Sequence, residues 1–170
     1  PVHLGSMGES IKTVIRENAG RMRAGNVYVL NAPYNGGTHL PDITLVSPYF
    51  IEGTAIPYAF VASRAHHADV GGMTPGSMPV AREIYQEGLI IPPIKLFRQG
   101  QVDPSVWDLL LANVRTPQER SGDLLAQLAS NQRGLQRLQG RKPAASAASG
   151  VGWNATLCRS GLRAAQEGRQ

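Results

Sequence analysis

Two glycine-flanked segments of this chain each carry an imidazole and a carboxylate three residues apart. They are Gly36-Gly37-Thr38-His39-Leu40-Pro41-Asp42 and His66-His67-Ala68-Asp69-Val70-Gly71-Gly72. Neutral imidazole nitrogen and carboxylate oxygen suit Mn, Fe, Zn and similar divalent ions. The glycines let the backbone turn tightly and come close to a ligand. His39, Asp42 and His66 are therefore candidate metal ligands, with Asp69 a weaker fourth. A turn aspartate also commonly accepts backbone N–H bonds, so a purely structural role for Asp42 and Asp69 stays open on residue type alone. Pro41 keeps the first segment out of a helix interior. His67 should face away from His66, because neighbouring side chains in extended backbone alternate.

Three further residues, Arg64, His67 and Glu87, are weak candidates for catalysis. Arg64 can hold an anionic substrate bidentately or pair with a surface carboxylate. Glu87, just before Gly88, can be a general base or an ordinary solvated glutamate. His3 is read as a packed or surface histidine. No Gly-x-Ser-x-Gly elbow marks a serine hydrolase, and no Gly-x-x-x-x-Gly-Lys-[Ser/Thr] loop marks an ATP site in this segment.

These residues sit in a chain of 170 residues, enough for one domain with a real core. The formal net charge of +5 is unevenly placed. Residues 1–140 carry 12 Lys and Arg against 11 Asp and Glu, while residues 141–170 carry five against Glu167 alone. A near-neutral body with no aromatic stripe among its basic residues argues against a nucleic-acid partner. The single cysteine, Cys158, lies in the basic tail, which excludes a disulfide framework and a thiol nucleophile in the body. No apolar run approaches the roughly 20 residues of a membrane span, and no charged-then-apolar signal segment opens the chain. Cytoplasmic residence is the default expectation.

The elements that must position the site follow from pattern. Ser6-Met7-Gly8-Glu9 fits a capping box, with Ile11, Val14 and Ile15 at helical spacing behind it and a stop near Gly20–Gly25. Val27-Tyr28-Val29-Leu30, Ile43-Thr44-Leu45-Val46 and Tyr58-Ala59-Phe60-Val61-Ala62 read as strands, and Glu52-Gly53-Thr54 suits a hairpin between the last two. Both His-x-x-Asp segments would then flank one strand pair, and antiparallel pairing could bring them together. Residues 71–79 form a long glycine- and proline-rich loop, of a kind that is often functional. Leu89 to Phe97 returns to a strand-like pattern whose Pro92-Pro93 argues for an edge strand or a turn. A short helix is expected over 104–114 and a leucine-bearing one over 119–138, with Leu124, Leu125, Leu128, Leu135 and Leu138 close to helical spacing. Gly122 and Gly134 weaken that helix. The expected fold class is α+β, with a mixed or antiparallel sheet and flanking helices over residues 1–140. Residues 141–170, rich in Ala, Ser, Gly and Arg, read as a disordered tail.

Taken together, residues 31–42, 63–72, 74–79 (Thr-Pro-Gly-Ser-Met-Pro), 113–120 (Asn-Val-Arg-Thr-Pro-Gln-Glu-Arg) and 122–127 (Gly-Asp-Leu-Leu-Ala-Gln) strongly resemble the hydantoinase B/oxoprolinase family. The match runs over about residues 2–139, in order and without a large gap. The resemblance implies ATP-dependent opening of a cyclic amide or imide, such as 5-oxoproline or a hydantoin. A separate hydantoinase A component or domain would bind ATP and phosphorylate the substrate, and the B component would complete the reaction. In the related acetone and acetophenone carboxylases the equivalent component handles an activated ketone. The resemblance implies a divalent metal on residues matching His39, Asp42 and His66. The family's B component is several times longer than 170 residues. The chain is therefore expected to be a fragment of a larger hydantoinase B-type fold, inactive alone. A non-catalytic truncated remnant and part of a carboxylase-like enzyme are the alternatives.

Overall fold

A computed structural model describes residues 2–77 and 79–139. The expected disordered tail, 141–170, lies outside the described residues. The order of elements is α1 (Val2–Asn18), β1 (Val27–Leu30), β2 (Asp42–Tyr49), β3 (Ala59–His66), β4 (Ile94–Arg98), β5 (Gln101–Val102), α2 (Pro104–Ala112) and α3 (Pro117–Gln139), with 3-10 turns at Pro33–Asn35 and Ile84–Gln86. The strands form one antiparallel sheet in the order β3-β2-β1-β4-β5. This is the α+β architecture expected from the pattern.

Helices cover both faces of the sheet, which explains why β1 is an unbroken apolar run rather than an alternating one. Tyr28 and Leu30 point to one face and pack with Val46, Phe60 and the α1 residues Ile11, Val14 and Ile15. Val27 and Val29 point to the other and pack with Ile43, Leu45, Leu96 and the helical residues Leu110, Leu124 and Leu128. The period of two thus sends alternate side chains of one strand into two separate cores.

Three local expectations are corrected. First, α1 begins at Val2, ahead of the Ser6–Glu9 box. Ser6 is a mid-helix residue whose hydroxyl accepts from Arg64 Nη1 at 2.5 Å, and Glu9 pairs with Lys12 instead of capping. Second, β4 is not an edge strand. It lies between β1 and β5, because Pro92 and Pro93 precede its first residue and remove no ladder hydrogen bond from within it. Third, the buried stripe of α3 is not its leucines alone. Arg120, Leu124, Gln127, Leu128 and Asn131 are buried, whereas Leu125 is half exposed. Gln127 and Asn131 are tolerated there because they donate to the sheet: Gln127 Nε2 to the Ile43 carbonyl at 3.0 Å and Asn131 Nδ2 to the Leu45 carbonyl at 3.2 Å. Gly134 has a packing role, since a Cβ there would lie 2.7 Å from Val61 Cγ1 on β3.

Among the described residues no helix is long and apolar enough to cross a membrane.

Candidate metal centre

The hairpin expected at residues 52–54 joins β2 to β3 in a single register that runs from Tyr49 opposite Ala59 to Asp42 opposite His66. The first residue of β2 and the last of β3 are therefore cross-strand partners, side by side on one face. That face is the α1 side, because the same register pairs Thr44 with Arg64 and Val46 with Ala62.

His39 reaches the same corner through the loop that links β1 to β2. Asn31, fully buried, anchors that loop: its Nδ2 donates to the carbonyls of Leu40 (2.8 Å) and Leu89 (2.9 Å), and its Oδ1 accepts from the Ile91 amide (2.7 Å). The chain then turns at Gly36, whose φ of +89° is open to glycine without strain. At Gly37 a side chain has no room, since a Cβ would lie 2.1 Å from the Asn31 carbonyl oxygen. The backbone closes when the Asp42 amide donates to the His39 carbonyl at 3.0 Å. His39 thus folds back over Asp42.

One ligand atom from each of His39, Asp42 and His66 lies within 4.8 Å of the other two. His39 Nδ1 is 3.6 Å from Asp42 Oδ2, and the two imidazole rings stand 5.3 Å apart, tilted by 37°. Asp42 is buried, His39 about one-third exposed in its side chain, and His66 exposed, so the group opens to solvent on its histidine side. Thr38 Oγ1 donates to Asp42 Oδ2 at 3.5 Å, an outer contact of the kind that orients a ligating carboxylate. The donor set suits a divalent ion: two imidazoles and one carboxylate with open positions. His66, exposed at the end of β3, is the member with most freedom to move toward an ion.

The other candidates lie elsewhere. His67 is buried on the opposite face, as strand alternation requires, with Nε2 2.9 Å from Gln127 Oε1. Because Gln127 Nε2 is committed to the Ile43 carbonyl, its oxygen must face His67, which makes His67 Nε2 the donor. Burial holds the His67 pKa below its usual value, against the opposing effect of that hydrogen bond, so the ring is neutral at pH 7. Asp69 is held in a separate partnership: Oδ2 accepts from the Arg115 amide at 2.6 Å, and Oδ1 from Arg115 Nη1 at 2.9 Å and the Gly71 amide at 3.0 Å. It pins the glycine loop to the α2–α3 connection. Glu87 follows the Ile84–Gln86 turn, where its backbone packs against Gly72, and is not among the three clustered residues.

Arg64 is placed beside the cluster. Its Nε donates to Thr44 Oγ1 at 2.8 Å, Nη1 to Ser6 Oγ at 2.5 Å and Nη2 to Ser10 Oγ at 2.7 Å. Ser10 in turn donates to the Gly36 carbonyl, which ties α1 to the His39 loop. Burial lowers the guanidinium pKa from its usual value and the negative charge of Asp42 opposes that, so Arg64 remains a cation. The supporting roles of Thr44 and Gln127 carry no sequence signal, because each depends on a partner that only the fold brings near. Asn31 and Thr38 lie in the segment that carries the resemblance, but its residues did not reveal these roles.

Comparison with known proteins places the chain in a family. The model for hydantoinase B/oxoprolinase matches residues 1–142. An uncharacterised protein of Methanocaldococcus jannaschii is 44% identical over 142 residues, covering 81% of this chain and 25% of that protein. The 5-oxoprolinase of Dictyostelium discoideum is 37% identical over 140 residues, covering 82% of this chain and 11% of that protein. Among solved structures, the ATP-dependent caprolactamase of Pseudomonas jessenii superposes with a TM-score of 0.77 at 32% identity, over 98% of this chain and 27% of that one. The chain therefore spans about a quarter or less of the length of these curated relatives.

Proposed function

Because this chain belongs to the hydantoinase B/oxoprolinase family, we propose that it supplies a divalent-metal centre to an ATP-dependent enzyme that opens a cyclic amide. The observation that carries this reading is the meeting of His39, Asp42 and His66 at one corner of the sheet. His39 and His66 would supply neutral nitrogen and Asp42 the carboxylate oxygen, with Mn, Fe or Zn as suitable ions. A bound ion would polarise the amide carbonyl or lower the pKa of a water. Thr38 would orient the Asp42 carboxylate, and the buried Asn31 anchor would keep the His39 loop in place. ATP would be used by a hydantoinase A-type component or domain, with 5-oxoproline, a hydantoin or a lactam as the substrate. The ATP dependence named for the caprolactamase supports the use of ATP, and the description of its matching chain as subunit beta supports a further component.

Calorimetric titration of chelator-treated protein tests the metal part. One equivalent of Zn²⁺ or Mn²⁺ is expected to bind. Uptake of neither ion, or equal uptake by a His39→Ala variant, would overturn it.

A further inference from the structure

The half-buried Arg64 guanidinium differs from three other arginines in what holds it. Arg115 pairs with Asp69, Arg120 with Glu119 and Asp123, and Arg98 with Asp103, each through a carboxylate within 4 Å. Among the described residues Arg64 is instead hydrogen-bonded to three neutral hydroxyls, those of Thr44 on β2 and of Ser6 and Ser10 on α1. A hydroxyl cradle orients the guanidinium without a direct ion pair to neutralise it. Of its five N–H donors, the cradle engages one each on Nε, Nη1 and Nη2. One N–H remains on each terminal nitrogen, so the guanidinium keeps donors for the oxygens of a carboxylate or phosphate.

Position adds to this. Arg64 is two residues before His66 on β3, on the same face, and its register partner Thr44 is two residues after Asp42. At about 3.3 Å per residue, the two side chains start roughly 7 Å apart along the strand. On the metal reading, two neutral imidazoles and one carboxylate leave a divalent centre with one net positive charge. Arg64 adds a second beside it, a field that favours an anion.

We propose that Arg64 binds an oxyanionic group of the ligand that occupies the metal centre, and so selects for a charged cyclic amide or a phosphorylated one over a neutral lactam. This rests on the metal reading for its location, while the contact to Arg64 can be read separately.

The test uses the full chain, ¹⁵N-labelled and loaded with Zn²⁺, titrated in parallel with acetate, inorganic phosphate and neutral acetamide. The readouts are the dissociation constant and the Arg64 Nε–Hε resonance. Saturable 1:1 binding of acetate or phosphate is expected, with a shift of that resonance, and none from acetamide. Preference for acetate identifies a carboxylate and preference for phosphate a phosphoryl group. Arg64→Lys keeps the charge but loses the guanidinium donors, and should weaken the anion about tenfold or more while zinc stoichiometry stays at one. Should that variant not fold, the resonance shift in the unaltered protein still decides. No saturable shift with either anion, or equal affinity in Arg64→Lys, would overturn the proposal and reduce Arg64 to a tie between α1 and the sheet. A protein that takes up no zinc but still shifts Arg64 with an anion would fail the metal reading and keep this one.

Discussion

Zinc affinity is expected to fall by about a hundredfold or more when Asp42 is replaced by alanine. Changes to groups that merely orient ligands already cost 10- to 100-fold in metal affinity, and Asp42 would be a ligand itself. It also supplies the only negative charge of the cluster, against two imidazoles. Removing it leaves a divalent ion with neutral donors alone. Because Asp42 is buried at the start of β2, the variant also perturbs the fold, and His66→Ala is the cleaner companion. His66 is exposed at the end of β3, so its loss should leave the melting temperature of the metal-free protein within a degree or two of the original, on the ordinary scale for surface substitutions. Calorimetric titration of both variants gives the affinities. Retention of full affinity by His66→Ala would remove it from the site.

The largest stability effect is expected at Asn31. Its side chain is completely buried and makes three hydrogen bonds, to the Leu40 and Leu89 carbonyls and from the Ile91 amide. Alanine would strand three backbone groups at the junction of β1, the His39 loop and the segment leading to β4. An unsatisfied buried polar group costs about 1–3 kcal/mol, so a loss of about 3–5 kcal/mol is expected after some relaxation. That is a large share of the 5–15 kcal/mol typical of a domain. Asn31→Asp should not rescue it, because a carboxylate facing two carbonyl oxygens is repelled while only the Ile91 bond is kept. Urea denaturation of the metal-free proteins measures both. A destabilisation below about 1 kcal/mol for alanine would show that the loop is held by other contacts.

How much was legible in the sequence depended on the reach of the interaction. The strand at Val27–Leu30 and the hairpin around Gly53 are local patterns, and both stand as read. Antiparallel pairing of the two strands was legible but its register was not: a turn confined to residues 52–54 would set Asp42 opposite Arg64, whereas the observed connection over residues 50–58 sets it opposite His66. The glycines before His39 were read as turn-formers, and Gly36 does turn with a φ of +89°, while the contact that leaves Gly37 no room for a Cβ is with the Asn31 backbone. What could not be read were pairings over long separations. Asn31 with Leu89, Asp69 with Arg115 and His67 with Gln127 are 58, 46 and 60 residues apart. Asp69 stands to His66 in the same pattern as Asp42 to His39 and was read as a weaker ligand, but its carboxylate accepts from the Arg115 amide and guanidinium. The polar stripe of α3 was hidden for the same reason: Gln127 and Asn131 look like surface residues until the sheet carbonyls they satisfy are in place. Arg64 was readable only as a pair of alternatives. Its hydroxyl cradle, drawn from β2 and α1, favours the anion-holding one.

X-ray absorption at the zinc K-edge reads the proposed metal centre itself, because it reports the atoms bonded to the ion. For the protein loaded with one equivalent of zinc, a first shell of nitrogen and oxygen at about 2.0–2.2 Å is expected. The outer-shell scattering should be that of two imidazoles, falling to one in His39→Ala. A shell of oxygen alone without imidazole scattering, or a spectrum unchanged by His39→Ala, would contradict it.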